Sequence, residues 1–550
     1  MNKSIFCAIL LLATWFHSPL FPENKVDPDL LTIAESSGFT RTSLYRDVIS
    51  LVHRFQIRSE RVRLIRIATS TEGRPIPMVV VSREGVSTPA EMRMTGKSAV
   101  LINANIHAGE VEGKEASLML IRDLILDPLP DVLDHQILLV IPIFNPDGNE
   151  KLGKNRGDKG PELAGIRANG QNLDLNRDFL KLESPEVRGL VSVLREWDPV
   201  LFLDLHTTNG SYHREPVTFT TLSNPNTDPV LRDYMWNQFF PAVQKILKAE
   251  YDVDSVPYGN FVDRKNPEKG WRNHAFEALY STNYVGLRNR FSILDENYSH
   301  ADFRTRVHGC HAFLRSVIRH SDTHMKEMKA LTREADMRAA HKYRKTDFIL
   351  DYEVVRLFDF TLKSYQFKIE KIPPEERHRY PPWIGDALVK PMEKHRDYSL
   401  TYYAATKPTR VQSLPDGYIL PATLPETAAL LKRHGLVVEI LQAPVKMDVE
   451  VFDLSEITTL PRLYQGHPPM KLKGKYRRET RLVEQGAYWI AMDQPLSRLL
   501  AELLEPEASH GLVQWGHFNR VIQRQWSRKP GQYPVLRVPS GTPRPALMAN

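Results

Sequence analysis

The sequence predicts an α/β fold: a mixed, mostly parallel sheet flanked by helices, followed by a smaller β-rich region. Three observations carry this. Through the first part of the chain, short apolar runs alternate with stretches of helical periodicity, the pattern of a buried sheet covered by helices. His107 and His206 each stand just past such an apolar run, and in sheets of this kind ligands gather at the strand ends. Beyond Thr346 the texture changes to strand-like alternation in which Pro and Tyr are frequent.

The elements follow in order. Residues 40–56 carry Leu44, Val48, Leu51 and Val52 at helical spacing. A strand is expected over Val62–Ile67, then a turn through Ser70-Thr-Glu-Gly-Arg-Pro75, then short buried strands over Ile76–Val81 and Ala99–Ala104. A helix spans Glu115–Ile125, with Ala116, Met119, Leu120 and Leu124 on one face. The apolar strand Ile137–Ile143 ends in Phe144-Asn-Pro-Asp-Gly148, a strong turn signal. The strand Val200–Leu205 runs straight into His206. Residues 301–343 are charged, free of Pro and helix-friendly, and close a first domain over 23–345. Residues 346–550 form a second, β-rich domain, with a strand over Asp351–Ile372 and helical patches at 426–434 and 496–504. It shows no catalytic constellation.

Composition narrows the class. Hydrophobic content of 42% and charged content of 25% over 550 residues are those of globular protein, with room for two domains. A net charge of +7 is mild for this length and does not point to nucleic acid. The basic run Lys471-Leu-Lys-Gly-Lys-Tyr-Arg-Arg478 reads as a solvated loop. Residues 1–22, with Lys3 ahead of the apolar stretch Ile5–Phe16, read as an export signal too short to span a bilayer. They imply a secreted or periplasmic protein, with no membrane association once the signal is removed. Of the two cysteines, Cys7 lies in that signal and Cys310 stands alone, so an exported chain holds together without an internal disulfide. Cys310 reads as a small buried residue near a helix start. The sequence implies no oligomeric state.

The chemistry sits in Asn103-Ala-Asn-Ile-His-Ala-Gly-Glu110. His107 and Glu110, three residues apart around Gly109, are able to face one divalent cation. Zn²⁺ takes three such protein ligands where a fourth position is kept open for water. A lone His-x-x-Glu is weak, since a second occurs at His274/Glu277, which reads as packing beside an aromatic patch. His206 in Phe202-Leu-Asp-Leu-His206 supplies the third partner from another strand. Between them stands Asn172-Leu-Asp-Leu-Asn-Arg-Asp178, and further on Gly286-Leu-Arg-Asn-Arg-Phe-Ser-Ile-Leu-Asp-Glu-Asn-Tyr298.

Residues 40–320 resemble the zinc carboxypeptidase family, the carboxypeptidase A-like metallopeptidases. The resemblance rests on Glu72-Gly-Arg74, His107-x-x-Glu110, Asp174-x-Asn176-Arg177, His206 and a strand ending in Glu296, in that order. It implies one Zn²⁺ held by His107, Glu110 and His206, and Glu296 as general base. Asp295 competes for that role, but strand alternation sends it to the Phe291/Ile293 face. Asn176 and Arg177 match the pair that grips a substrate's free C-terminal carboxylate, a task suited to a guanidinium fork. Asp174 matches a carboxylate that orients a metal-bound imidazole, with a structural salt bridge as its other reading. An oxyanion-stabilising arginine is also implied; Arg167 is the first choice and Arg156 the alternative.

The chain departs from the family in three places. Gly109 stands where many members carry a basic residue. The substrate-binding tyrosine has no clear counterpart, Tyr284 and Tyr298 being the candidates, and Asp178 is not the commonest residue after Asn-Arg. The reading is a zinc metallocarboxypeptidase acting on peptides with a free C-terminal carboxylate. A deacylase or amidase on N-acyl amino acids or cell-wall peptides, and a silent zinc-containing binding protein, are its rivals. His213 is left between cleft wall and turn cap, His320/His324 read as surface residues, and Arg288/Arg290 as cleft or packing residues.

Overall fold

A computed structural model describes residues 26–126, 131–155, 159–208, 210–342, 346–380, 384–523 and 531–545, with the backbone of Leu547–Met548. Eight strands form the central sheet: β1 (Val62–Thr69), β2 (Pro75–Val81), β3 (Ser98–Ala104), β4 (Gln136–Ile141), β5 (Leu201–Thr208), β6 (Val217–Thr221), β7 (Ser255–Pro257) and β8 (Phe291–Tyr298). Their spatial order is β1-β2-β4-β3-β5-β8-β6-β7. The centre β4-β3-β5-β8 is parallel throughout, while β1, β2 and β6 pair antiparallel with their inner neighbours. The sheet is therefore mixed and mostly parallel.

Alternation along the strands divides their side chains between two cores. Val79, Val81, Val100, Ile102, Leu138, Val140, Leu203, Leu205 and Ile293 face the side covered by α1 (Tyr45–Arg58), α2 (Glu112–Leu126) and the long α5 (Phe303–Met337). Ile76, Met78, Val80, Leu101, Leu139, Ile141 and Phe202 face the other side, covered by α3 (Pro185–Glu196) and α4 (Ser281–Leu287). Residues of the C-terminal part, among them Tyr418, Leu430, Leu431 and Leu500, join that same apolar cluster.

Past α5 the chain is β-rich, as its composition suggests. Strands β9 (Asp347–Lys371) and β10 (Ala387–Ser413) form one long hairpin. It shares a sheet with the short strands Asn260–Phe261 and Trp271–Arg272. Then β11 (Gly417–Leu420), β12 (Glu439–Leu441), β13 (Val445–Thr459), β14 (Met470–Val483), β15 (Tyr488–Ala491), β16 (Leu536–Val538) and β17 (Leu547–Met548) form a seven-stranded sheet. The helical patches are realised as Pro425–Arg433 and Ser497–Leu504.

The basic run 471–478 corrects the loop expectation. It lies within edge strand β14, where Met470 and Leu472 are buried and Lys473, Arg477 and Arg478 pair with Glu456, Asp453 and Glu450. Charged side chains on an edge strand discourage pairing with other chains. His320 is also not a surface residue: it is buried in α5 edge-on to Phe239, with its carbonyl accepting from His324 Nδ1. Residues 1–22, the expected export signal, fall outside the described residues.

Candidate metal and substrate site

The parallel register sets Glu296 of β8 opposite His206 of β5, and both belong to the face that the C-terminal part covers. His107 and Glu110 come from the loop after β3. That loop is shaped by Asn105, at φ 65, whose amide donates to the carbonyls of Ala108 and Glu110. The Glu110 N–H closes a turn onto the His107 carbonyl at 2.8 Å.

Three donor groups converge there. His107 Nδ1 and His206 Nδ1 are 3.1 Å apart, and they lie 3.1 and 2.9 Å from the two oxygens of Glu110. Tetrahedral ligands about 2.0–2.1 Å from a zinc ion stand roughly 3.3 Å from one another. The His₂Glu set therefore fits zinc in both chemistry and spacing. These residues are also the metal-capable cluster found among the described residues.

The far nitrogen of each imidazole meets a carboxylate. His107 Nε2 is 3.0 Å from Asp174 Oδ1, and His206 Nε2 is 3.0 Å from Asp204 Oδ2. Such partners fix ring orientation and tautomer and raise ligand basicity. Burial would lower the His206 pKa, but Asp204 and Glu110 reverse this and hold it well above the ordinary value. Asp204, fully buried, is itself held by the Asn103 amide and the Ser281 hydroxyl. It was not singled out in the sequence, although Asp-x-His on a strand places both side chains on one face.

Asp174 is a hub. Beyond His107, its carboxylate accepts from Arg167 Nε at 2.8 Å and from the Asn176 N–H at 3.0 Å, and lies 3.8 Å from Arg177 Nη1. Burial would raise its pKa, yet His107, Arg177 and Arg167 hold it far below the carboxylate range. The turn Leu175–Arg177 begins here, which seats Asn176 and Arg177 beside the metal ligands. The Ser281 N–H fixes Asn176 Oδ1 at 2.8 Å, leaving the amide nitrogen 3.4 Å from His206 Nε2. Arg177 lies over the Tyr280 ring, 4.4 Å from its centroid.

Arg167, Asn176, Arg177, Glu296 and the three metal-capable residues all line one cleft of about 220 Å³. Arg167 Nη1 reaches within 3.5 Å of Glu110 Oε1; Arg156 falls outside the described residues. Asp295 points away, fully buried, accepting from Asn297 Nδ2 and Cys310 Sγ. Glu72 and Arg74 stand apart from the cleft. Arg74 bridges Glu72 and buried Asp147. Gly109 has a steric reason: a Cβ there would stand 2.7 Å from the Gly165 carbonyl oxygen, so the basic side chain common in the family has no room.

Several expectations need correcting. Neither Tyr284 nor Tyr298 lines the cleft. The Tyr284 hydroxyl meets His434 Nδ1, and Tyr298 stacks on His213 and accepts its N–H. The tyrosines of the cleft are Tyr258 and Tyr280, joined by Thr208, Thr282 and His274. His274 thus stands at the cleft instead of packing away, while His213 is buried outside it. Arg288 and Arg290 are structural, bonding the His434 carbonyl and bridging Asp198 to Asp336. Tyr258 and His274 come from the segment between β7 and α4, whose irregular backbone carries no periodic signal.

The chain is similar to several known proteins. Residues 49–254 match the sequence model of the zinc carboxypeptidase family. Carboxypeptidase Z of Mus musculus and of Rattus norvegicus are each 29% identical over 223 residues, 39% of this chain and 28% of theirs. Among solved structures, a metallo-carboxypeptidase from Burkholderia cenocepacia aligns with a TM-score of 0.39 at 17% identity. That alignment covers 51% of this chain and 69% of the other. Carboxypeptidase A from Helicoverpa armigera aligns with a TM-score of 0.38 at 16% identity, over 52% and 74%.

Proposed function

We propose, for a chain whose residues 49–254 match the zinc carboxypeptidase family model, zinc-dependent hydrolysis of the C-terminal peptide bond of peptides. The observation that carries it is the meeting, in one cleft, of a His₂Glu set, a separate carboxylate and an Asn-Arg pair. Zinc held by His107, Glu110 and His206 would supply a Lewis acid that polarises the scissile carbonyl and acidifies water.

The remaining roles belong to the chain. Glu296 takes a proton from the attacking water and returns it to the leaving amine. Arg167, aimed into the cleft by Asp174, donates to the developing oxyanion. Arg177 binds the terminal carboxylate through its guanidinium fork, and Asn176 adds its amide N–H. Desolvation raises the Tyr280 pKa to about 12, so its phenol stays neutral beneath the Arg177 cation. Residues 23–345 carry the chemistry, and 346–550 serve as a second unit covering the clamp side. Export through residues 1–22 belongs to the same reading. No described helix is long and apolar enough to cross a membrane.

A mixed peptide library, incubated with wild-type protein and with Glu296→Gln and read by mass spectrometry, tests this. Wild type removes single C-terminal residues, a zinc chelator and the variant abolish the loss, and C-terminally amidated peptides survive. Internal cleavage, or equal loss of amidated peptides, would overturn the clamp and favour an endopeptidase or amidase. No turnover by folded, zinc-loaded protein would point to a binding protein.

A further inference from the structure

The connection between β13 and β14 reaches back across the molecule to the clamp. Tyr464 and His467 exchange both backbone hydrogen bonds, at 2.8 and 3.0 Å, around a two-residue turn. The turn residues Gln465 and Gly466 have φ of 53° and 82°, the doubly positive geometry of a type I′ hairpin turn. Asn or Gly is favoured at the first of these positions, and a longer side chain there costs local strain. The Gln side chain does something a Gly would not: its Oε1 accepts the backbone N–H of Asp174 at 2.9 Å.

The tip is moored at two further points on the same loop. His467 Nε2 lies 2.6 Å from Glu183 Oε1. Trp515 stacks on Tyr464 and meets His467 edge-on, with Lys181 Nζ over its ring. Tyr464 also stands close enough to Arg177 to help raise the guanidinium pKa against burial, after Asp174 and Tyr280. Every group implied at the carboxylate end therefore hangs on a segment that the second unit holds down.

We propose that the β13–β14 tip is a positioning element of the substrate site, in which Gln465 fixes the Asp174 backbone and thereby sets Arg177 and Asn176 for a free carboxylate. The proposal rests on the carboxypeptidase reading and adds a residue of the C-terminal part to its specificity. Gln465 touches no substrate; it acts through Asp174.

The test is calorimetric binding of an N-acyl amino acid and of its C-terminal amide to zinc-loaded full-length protein, which needs no turnover. Gln465→Met keeps the side-chain length and removes the acceptor; Gln465→Glu keeps the acceptor. Gln465→Met is expected to weaken the free acid about tenfold and leave the amide unchanged, with Gln465→Glu within about threefold of wild type. His467→Gln, which releases the Glu183 mooring, is expected to shift the free acid in the same direction. Leu463→Ala, at an exposed side chain of the same tip (64% accessible), changes neither. Wild-type binding by Gln465→Met, or equal losses for the Met and Glu variants, would overturn the role of Gln465. Wild type that does not prefer the acid over the amide would instead remove the clamp reading, and this proposal with it.

Discussion

Asp295 and Glu296 are adjacent acids with opposite surroundings. Glu296 faces the cleft; Asp295 lies beneath α5, its Oδ1 without a hydrogen-bond partner and its Oδ2 shared by Asn297 and Cys310. Desolvation raises the Asp295 pKa to about 7 against the hydrogen bonds of Cys310 and Asn297. Because the folded pKa lies above the unfolded one, the folded state keeps a proton that the unfolded state releases. Stability is therefore lost as pH climbs from about 4 to about 7 and is level above that. Asp295→Asn removes the penalty. Thermal unfolding is expected to show the variant more stable than wild type at pH 8, by up to a few kcal/mol, and alike near pH 4. Peptidase activity should persist in Asp295→Asn and fall by about 10²–10⁴ in Glu296→Gln. Equal loss in both would move the proton-transfer role to Asp295. Strand alternation made this separation legible from sequence, while the three metal-capable residues were legible from His-x-x-Glu spacing, from His206 standing just past an apolar run and from the family resemblance. The partner Asp204 and the cleft residues Tyr258 and His274 stayed hidden, because their placement depends on contacts between distant segments.

At the scale of elements, the metal-capable set is spaced by how closely α2 sits on β5. Gly113, in the first turn of α2, makes that approach possible: a Cβ there would stand 2.5 Å from Leu205 Cβ. Leu205 precedes His206, and the loop bearing His107 and Glu110 leads directly into α2. Gly113→Ala must therefore push the helix off the strand and draw the donor groups apart. The expected cost is about 1–3 kcal/mol by denaturant unfolding of chelated protein. Weaker zinc binding, measured by competition with a chromophoric chelator, should accompany it. A stability loss with unchanged zinc affinity would show that the donors adjust independently of helix packing. The strands and helices expected from the sequence were legible because each is a local pattern; the helix Pro185–Glu196 and the strand Val217–Thr221 were not among them. The one misread stretch, 471–478, does alternate around Met470 and Leu472, but its density of Lys and Arg concealed the period.

For the whole molecule, the change of composition near residue 346 marks a change of architecture without a separation of cores. Leu175, Phe179 and Leu180 share one apolar cluster with Tyr418, Leu430 and Leu431. Polar contacts cross at the same place: Tyr284 and Arg288 bond His434, His434 Nε2 lies 3.2 Å from the Leu180 carbonyl, and Ser497 donates to the Ala339 carbonyl. Composition reports the β-rich texture of a segment but carries no signal for which surface it covers. Removing 346–550 would expose the apolar face beside Asn176 and Arg177 and leave the Asp174 N–H without Gln465. Residues 23–345 alone are thus expected to be insoluble or to lack a cooperative transition. The full chain should unfold in one calorimetric transition, moved up by zinc according to mass action, about 2.7 kcal/mol at a hundredfold excess over Kd. Two separated transitions, with only the lower or the upper one responding to zinc, would show that the shared cluster does not couple the two parts. A soluble 23–345 fragment that keeps wild-type preference for free-carboxylate ligands would show that the clamp stands without its roof.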